Sequence, residues 1–373
     1  MTSRLSLIAL LTGAALAGTA LLPGLQADLR AQDKGVVNVF NWSDYVAEDT
    51  LANFTKQTGI AVNYDVYDST AVANAKIGAG SSGYDMAVLA GVDLQRMIAS
   101  GALQPIDTAK LKNYGNLDPK LMQRLARLDP GNKYAVPYMF GTVGIGYNVD
   151  KVKERLGGEV PNSWSLVFDP TVASKLADCG ISLLDESNEV YGAMLAYMGA
   201  DPLTTDIAEF EKAHAALEKV RPHLRDFNSG QYISDLANGE VCVAMGYNGD
   251  ILQARDRAGE ANNGVNVSFM MPKEGLSLWF DLMTMPAGAP NPDNGLTYID
   301  YILEPKVAAD ITNYVFFANP NTKAYEFVSE DVKTDPAVYP TPEVLEKTFV
   351  LQELPPQVLR SLNRLWTRLK AGR

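Results

Sequence analysis

The sequence predicts an α/β protein of two lobes, and three observations carry that prediction. The chain has 373 residues, whereas a single domain usually has about 100–200. Segments typical of strands alternate with segments typical of helices every ten to fifteen residues or so, which indicates a sheet with parallel crossover connections. No stretch rich in Gly, Ser or Pro separates the two halves, so we expect several strands to join the lobes.

The first half of the chain holds three predicted strand–helix pairs. Runs of β-branched and aromatic residues predict strands at 36–40, 60–67 and 84–89. Apolar residues at helical spacing predict helices at 46–59, 70–77 and 94–100. The second half repeats the alternation, with strands predicted at 240–246, 265–271 and 278–285 and helices at 188–197, 206–220, 250–261, 295–314 and 358–369.

The N-terminus has the order of charge, apolar run and small residues that is typical of a secretory signal. Arg4 precedes an apolar run at 5–22, and Ala27 and Ala31 are candidate residues before a cleavage point. We therefore predict a signal peptide over residues 1–31 and an exported mature protein. The alternative is a single transmembrane anchor, since the apolar run is close to the length that spans a bilayer.

Composition excludes several classes of function. Asp and Glu total 44 against 32 Lys and Arg, which gives a formal net charge of -12 and argues against a nucleic-acid partner. The chain has only 2 His and 2 Cys, too few for a zinc finger, an iron–sulfur cluster or a His-rich metal site. We therefore expect no metal and no cofactor.

Sequence motifs give no support for an enzyme, although they leave one class open. The segment 78–83 matches G-x-G-x-x-G, but a predicted helix precedes it and a strand follows, the reverse of the order in a dinucleotide site. Neither G-x-S-x-G nor H-E-x-x-H occurs, and His214 lies within a charged predicted helix. A glycosidase that uses two carboxylates stays possible on composition alone.

Cys179 and Cys242 are an even pair in a chain that we expect to be exported. An oxidising compartment favours a disulfide between them, and the alternative is two buried free thiols. If the bond forms, it closes a loop for which the chain-entropy relation gives about 4 kcal/mol of stabilisation.

Three segments place aromatic residues beside carboxylates at the ends of predicted strands or within them, at 41–45, 247–250 and 279–281. In open α/β sheets, ligands bind beyond the carboxyl ends of strands. Aromatic faces attract ammonium groups, and carboxylates replace the water that such a group loses on entering a site. The set would suit an alkyl amine with two or more charges. For each Trp or Tyr alone, ordinary core packing is the alternative, and for each Asp a turn or a helix N-cap.

The sequence also resembles a known family over nearly the whole mature chain, and the similarity is close at 39–45, 137–152, 231–239 and 264–269. It resembles the periplasmic polyamine-binding proteins that deliver putrescine or spermidine to ABC importers. The resemblance implies a two-lobed periplasmic-binding-protein fold of type II, with the ligand held in the cleft between the lobes. It also implies a monomer that binds polyamine in the periplasm without catalysis and docks on an inner-membrane ABC transporter permease. The cysteine pair falls where related proteins have one.

The resemblance divides the mature chain between two lobes and assigns its ligand contacts. Lobe 1 is expected to comprise 32–141 and 251–305, and lobe 2 to comprise 142–250 and 306–373. Aromatic walls would enclose the methylenes, and carboxylates would meet the ammonium groups. The implied ligand-binding residues are Trp42, Ser43, Asp44, Tyr45, Glu189, Ser229, Tyr247, Asp250, Trp279, Asp281 and Phe317.

The choice of ligand stays open among cationic amines. Ala90, Tyr247 and Phe317 replace the serine, tryptophan and tyrosine that are usual in putrescine-type relatives, and Trp279 is the residue usual in spermidine receptors. Putrescine and spermidine therefore have equal weight. The alternatives are a receptor for agmatine, cadaverine or a basic amino acid, a periplasmic carboxylate-dependent hydrolase, and a sensor that binds polyamine without transport.

Overall fold

A computed structural model describes residues 35–372, so the predicted signal peptide at 1–31 lies outside the described residues. Within 35–372, none of the helices combines the length and the apolar character needed to cross a membrane.

The strands form one mixed sheet. In chain order they are β1 (Val36–Trp42), β2 (Ala61–Tyr67), β3 (Met86–Ala90), β4 (Leu103–Gln104), β5 (Ala135–Asn148), β6 (Ile181–Leu183), β7 (Asp226–Phe227), β8 (Val243–Tyr247), β9 (Val267–Met270), β10 (Leu276–Pro286) and β11 (Thr348–Phe349). The spatial order is β2-β1-β3-β10-β5-β8-β6-β7, with β4 and β11 paired to β10 and β9 paired to β5. Near each end the neighbours run parallel, as predicted, with β1 beside β2 and β3 and with β6 beside β7 and β8. At the centre, β5 and β10 pair antiparallel with each other and with their outer neighbours, so the prediction of parallel connections was wrong there.

The helices of the described chain cover the sheet and follow most of the predicted segments. They are α1 (Thr50–Thr58), α2 (Thr70–Gly78), α3 (Leu94–Ala99), α4 (Pro119–Leu125), α5 (Val149–Leu156), α6 (Ser165–Phe168), α7 (Pro170–Leu176), α8 (Ser187–Tyr197), α9 (Ile207–Val220), α10 (Tyr232–Ala237), α11 (Asn248–Ala261), α12 (Pro292–Ile302), α13 (Pro305–Val315), α14 (Glu330–Thr334), α15 (Pro342–Leu345) and α16 (Pro356–Lys370). The predicted helix at 295–314 is two helices, because Pro305 cannot donate the backbone hydrogen bond that a continuous helix needs. The helix predicted from residue 46 begins at Thr50, since a turn with Asp44 at φ 51° precedes it.

Two groups of buried side chains form the cores of the two lobes. One core draws on β1, β3 and α12, and the other on β6, β8, α8 and α9. The long strands β5 and β10 contribute to both cores, so the chain passes from one lobe to the other along a continuous strand each time. This is the two-lobed α/β architecture that the sequence predicted, with several strands joining the lobes.

The predicted lobe boundaries stay a proposal, and the packing favours moving two of them. Ile251 and Ala254 of α11 pack in the core of lobe 2, whereas Ile311 and Val315 of α13 pack in a core of lobe 1. We therefore propose that the chain returns to lobe 1 within β10 and to lobe 2 ahead of α16. The disulfide between Cys179 and Cys242 is present, with Cα atoms 5.5 Å apart, which confirms the predicted pairing.

Candidate ligand-binding site

Four aromatic side chains from distant parts of the chain meet between the two cores. The ring of Trp279 contacts Phe317 at a centroid distance of 5.0 Å and Tyr247 at 5.7 Å, in both cases edge-on. Tyr45 contacts Phe317 in the same way at 5.4 Å. Tyr247 and Trp279 each pack against the cores of both lobes. The predicted aromatic set is therefore brought together, with Trp42 beside it: its ring lies 4.5 Å from that of Tyr67, and its indole acts on the site carboxylate Asp281.

Asp281 lies in the middle of β10 with only 7% of its surface exposed. The hydroxyl of Tyr45 donates a hydrogen bond to its Oδ2 at 2.8 Å. Burial, with a smaller effect of the Asp250 charge, raises the pKa of Asp281 to about 7, although the Tyr45 hydrogen bond acts in the opposite direction. The indole of Trp42 also favours the charged form, although Trp42 Nε1 has no hydrogen-bonding partner among the described residues.

Asp250 lies in the first turn of α11, directly after β8. The hydroxyl of Tyr232 donates a hydrogen bond to its Oδ2 at 2.6 Å. Burial raises the pKa of Asp250 to about 7, against the effects of that hydrogen bond and of Arg257. A carboxylate near the N-terminus of a helix is also favoured by the helix dipole, so its position there costs little apart from desolvation.

Glu189 lies in the first turn of α8, on the lobe 2 side of the site. Its Oε1 accepts a hydrogen bond from the Ser277 hydroxyl at 3.2 Å, while its buried Oε2 has no partner within the described chain. Burial raises the pKa of Glu189 to about 8, and the nearby charge of Glu186 adds to the rise. A buried carboxylate oxygen without a donor is costly, which marks this position as one that a bound cation would stabilise.

Together these groups form a cluster of carboxylates, and the nearby cation Arg257 acts on Asp250 but pairs with Asp44. Tyr247 experiences the charges of four carboxylates, those of Glu186, Glu189, Asp281 and Asp250. Among the described residues, none of these four forms an ion pair within 4 Å. Aromatic rings beside such carboxylates can hold a flexible alkyl chain that carries separated ammonium groups, because each charge meets a carboxylate and each methylene meets a ring.

Three predicted site residues lie differently from the others. Ser43 and Asp44 are exposed, with 59% of the Asp44 side chain accessible, and the Asp44 Oδ2 lies 3.9 Å from Nη2 of Arg257. The Ser229 hydroxyl accepts a hydrogen bond from the backbone N–H of Asp185 at 3.1 Å. Asp44 thus already forms an ion pair with Arg257. The ligand-binding roles predicted for Ser43, Asp44 and Ser229 stay predictions.

The sequence interpretation missed several residues that border the site. Glu186 accepts a hydrogen bond at 3.0 Å from the Thr70 hydroxyl, which comes from the opposite lobe, and burial raises its pKa to about 7. Its position three residues before Glu189 on the same helical turn was a usable signal. Arg257 carried no signal, and Tyr232 lies in the closely similar segment 231–239 without an assigned role, because only the folded chain brings the two residues to Asp44 and Asp250.

Comparisons with known proteins place the chain among solute-binding proteins. The family model described as bacterial extracellular solute-binding protein matches residues 49–341. The chain is 47% identical over 345 residues to the putrescine-binding periplasmic protein PotF of Escherichia coli strain K12, covering 92% of this chain and 93% of that protein. It is 46% identical over 345 residues to the putrescine-binding periplasmic protein SpuD of Pseudomonas aeruginosa strain UCBPP-PA14, with 92% and 94% covered.

A solved structure shows the same fold. The substrate-binding protein PotD of a spermidine/putrescine ABC transporter, from Streptococcus pneumoniae strain Canada MDR_19A, superposes with a TM-score of 0.75 at 27% identity. The match covers 91% of this chain and 99% of that one.

Proposed function

The chain belongs to the family of bacterial extracellular solute-binding proteins, and on that premise we propose that it captures a polyamine between its lobes and delivers it to the membrane permease of an ABC importer. One observation carries the proposal: Glu189, Asp250 and Asp281 are carboxylates with raised pKa values beside an aromatic cluster, and none forms an ion pair within 4 Å among the described residues. The names of the relatives at 46–47% identity support putrescine as the first candidate.

The aromatic and the acidic side chains contact different parts of the ligand. Tyr45, Tyr247, Trp279 and Phe317 contact the methylenes, and Asp250, Asp281 and Glu189 accept hydrogen bonds from the ammonium ends. Each charge-assisted hydrogen bond contributes roughly 1.5–3 kcal/mol net. An amine of the wrong length leaves a buried carboxylate unpaired, so the spacing of the carboxylates sets selectivity.

Binding favours the closed arrangement because the ligand touches both lobes. Two further polar contacts cross between the lobes, from Thr70 to Glu186 and from Arg257 to Asp44. The permease then recognises the closed protein. Export through the predicted signal peptide, action as a monomer and the absence of chemical turnover are parts of the same proposal.

Isothermal titration calorimetry with putrescine, spermidine, cadaverine and agmatine tests the proposal. We expect the wild-type protein to bind at least one of these amines. Asp250→Asn and Asp281→Asn should each weaken that binding by at least about tenfold, in line with the loss of a charge-assisted hydrogen bond.

Asp310→Asn is the matched control, because it removes an equal charge from an exposed pair with Lys306 on α13. This variant should bind like the wild type. If the wild-type protein binds none of the four amines, or hydrolyses a glycoside, the proposed function is wrong.

A further inference from the structure

The segment 231–239 is closely similar to the polyamine-binding family, yet the resemblance assigns none of its residues a role in binding. It begins α10, whose first residue, Tyr232, is completely buried in the core of lobe 2. The ring packs within that core and only the hydroxyl reaches the site, so a role in binding would act through a neighbouring group.

The Tyr232 hydroxyl lies between two parts of the candidate site. It donates to Oδ2 of Asp250 at 2.6 Å and accepts from the backbone N–H of Tyr247 at 3.1 Å. The hydroxyl thus links Tyr247, an aromatic residue of the site, to the carboxylate of Asp250, which lies one helical turn further along the chain. Burial raises the pKa of Tyr232 well above its ordinary value, so the hydroxyl stays protonated and remains a donor.

The surroundings hold this hydroxyl in place. The backbone N–H of Tyr232 donates to Oδ1 of Asn228 at 2.8 Å, which fixes the start of α10. The ring lies directly against Gly246, where a Cβ atom would collide with it. A glycine at the penultimate position of β8 is therefore what allows Tyr232 to reach Asp250.

We propose that Tyr232 is a positioning residue for amine binding, whose donated hydrogen bond orients the Asp250 carboxylate, leaves Oδ1 free for the ligand and stabilises the anionic form. The inference rests on the proposed function, which supplies the amine. Tyr45 and Asp281 form the corresponding pair on the other side of the site, at 2.8 Å.

The charge state of Asp250 depends on several groups from different elements. Desolvation favours the neutral form, while the Tyr232 hydrogen bond favours the charged form that binds an ammonium group. The charged or titratable groups that face Asp250 are Tyr45, Asp44, Tyr232, Tyr247, Arg257 and Asp281. Within the described chain, the side-chain hydrogen bond that the Asp250 carboxylate accepts comes from the Tyr232 hydroxyl.

Tyr232→Phe tests the inference, with Tyr191→Phe as a matched control. Tyr191 is equally buried in the same core, and its hydroxyl bonds to Nδ1 of His214 at 2.9 Å, away from the carboxylates of the site. Calorimetry should give a putrescine affinity about 10-fold to 100-fold lower in Tyr232→Phe, and within about twofold of wild type in Tyr191→Phe. The pH below which affinity falls should rise in Tyr232→Phe alone.

A double-mutant cycle and a ligand-free measurement separate positioning from a merely structural role. In an Asp250→Asn background, Tyr232→Phe should change affinity by less than about twofold, because the bond it removes is already altered. Carbon-13 NMR of the Asp250 carboxyl without ligand should show a higher titration midpoint in Tyr232→Phe. If that variant does not fold, 3,5-difluorotyrosine at position 232 keeps the hydroxyl as a stronger donor and should lower the midpoint.

An unchanged Asp250 midpoint, or an equal loss of affinity in the Asp250→Asn background, would overturn the role of Tyr232. Failure of the wild-type protein to bind any polyamine would reject the proposed function instead. The NMR measurement still decides whether Tyr232 controls Asp250 in that case, so the two failures are distinguishable.

Discussion

Replacing Glu189 with glutamine should stabilise the ligand-free protein at alkaline pH. Glutamine keeps an oxygen that can accept from Ser277, but it removes a charge that burial disfavours. Because the pKa of Glu189 rises from 4.5 to about 8 on folding, the folded protein retains a proton that the unfolded chain has lost. Glu189 therefore leaves the free energy of unfolding undiminished below about pH 4.5 and lowers it as the pH rises towards 8.

The magnitude follows from the same values. A pKa unit corresponds to about 1.4 kcal/mol, so ionising Glu189 in the fully closed protein would cost about 4–5 kcal/mol. Glu189 is only half-buried, and opening of the lobes admits water to the carboxylate, so we expect roughly half of this, about 2 kcal/mol. For a chain of this size that corresponds to a rise in Tm of about 3 °C.

Urea unfolding and thermal scans without ligand, at pH 5 and pH 8.5, measure the effect. The gain of Glu189→Gln should be about 2 kcal/mol at pH 8.5 and below about 1 kcal/mol at pH 5. Glu159→Gln, at an exposed residue between α5 and α6, is the control and should be neutral at both pH values. A gain of equal size at both pH values, or no gain at pH 8.5, would refute the account of Glu189 as a desolvated carboxylate.

Two further outcomes test the scaffold around the site. Replacing both Cys179 and Cys242 with alanine should lower the free energy of unfolding by about 4 kcal/mol in urea denaturation, because the disulfide spans 63 residues of sequence. Equal stability of this variant and the wild type would contradict the stabilising role of the disulfide. Gly249→Ala should destabilise the fold by about 1–3 kcal/mol in the same assay, since its Cβ would lie 2.5 Å from the Val315 carbonyl oxygen and 2.7 Å from the Phe317 ring. Gly259→Ala on the same helix, where a Cβ would meet nothing within 4 Å, should be neutral or slightly stabilising because alanine favours the helix, and a similar loss there would contradict crowding as the cause of the Gly249→Ala loss.

Local patterns in the amino-acid sequence were enough to predict most of the secondary structure. The strands β1, β2 and β3 and the helices α2 and α3 agree with their predictions to within two residues at nearly every end. Each depends on side-chain periodicity or on a nearby glycine, which act over one or two turns of chain. The pairing of Cys179 with Cys242 was also predictable, because the chain offers no other cysteine.

The centre of the sheet was not predictable in the same way. The long strand β5 was missed as a strand, and its antiparallel pairing with β10 joins residues more than a hundred positions apart. Hydrophobic alternation indicates that a segment is extended, but the direction and identity of its partner depend on which long-range pairing buries the most surface.

The site shows the same division between local and tertiary information. Aromatic residues beside Asp250 and Asp281 were visible as sequence clusters, and the fold brings Tyr45, Tyr247 and Trp279 together with Phe317, which only the family resemblance implied. Tertiary structure alone decided that Asp44 pairs with Arg257 at the surface and that Tyr232 reaches Asp250 from inside lobe 2. A residue's type states which bonds it can make, whereas its burial and its partners, and hence its pKa, exist only once distant segments have packed around it.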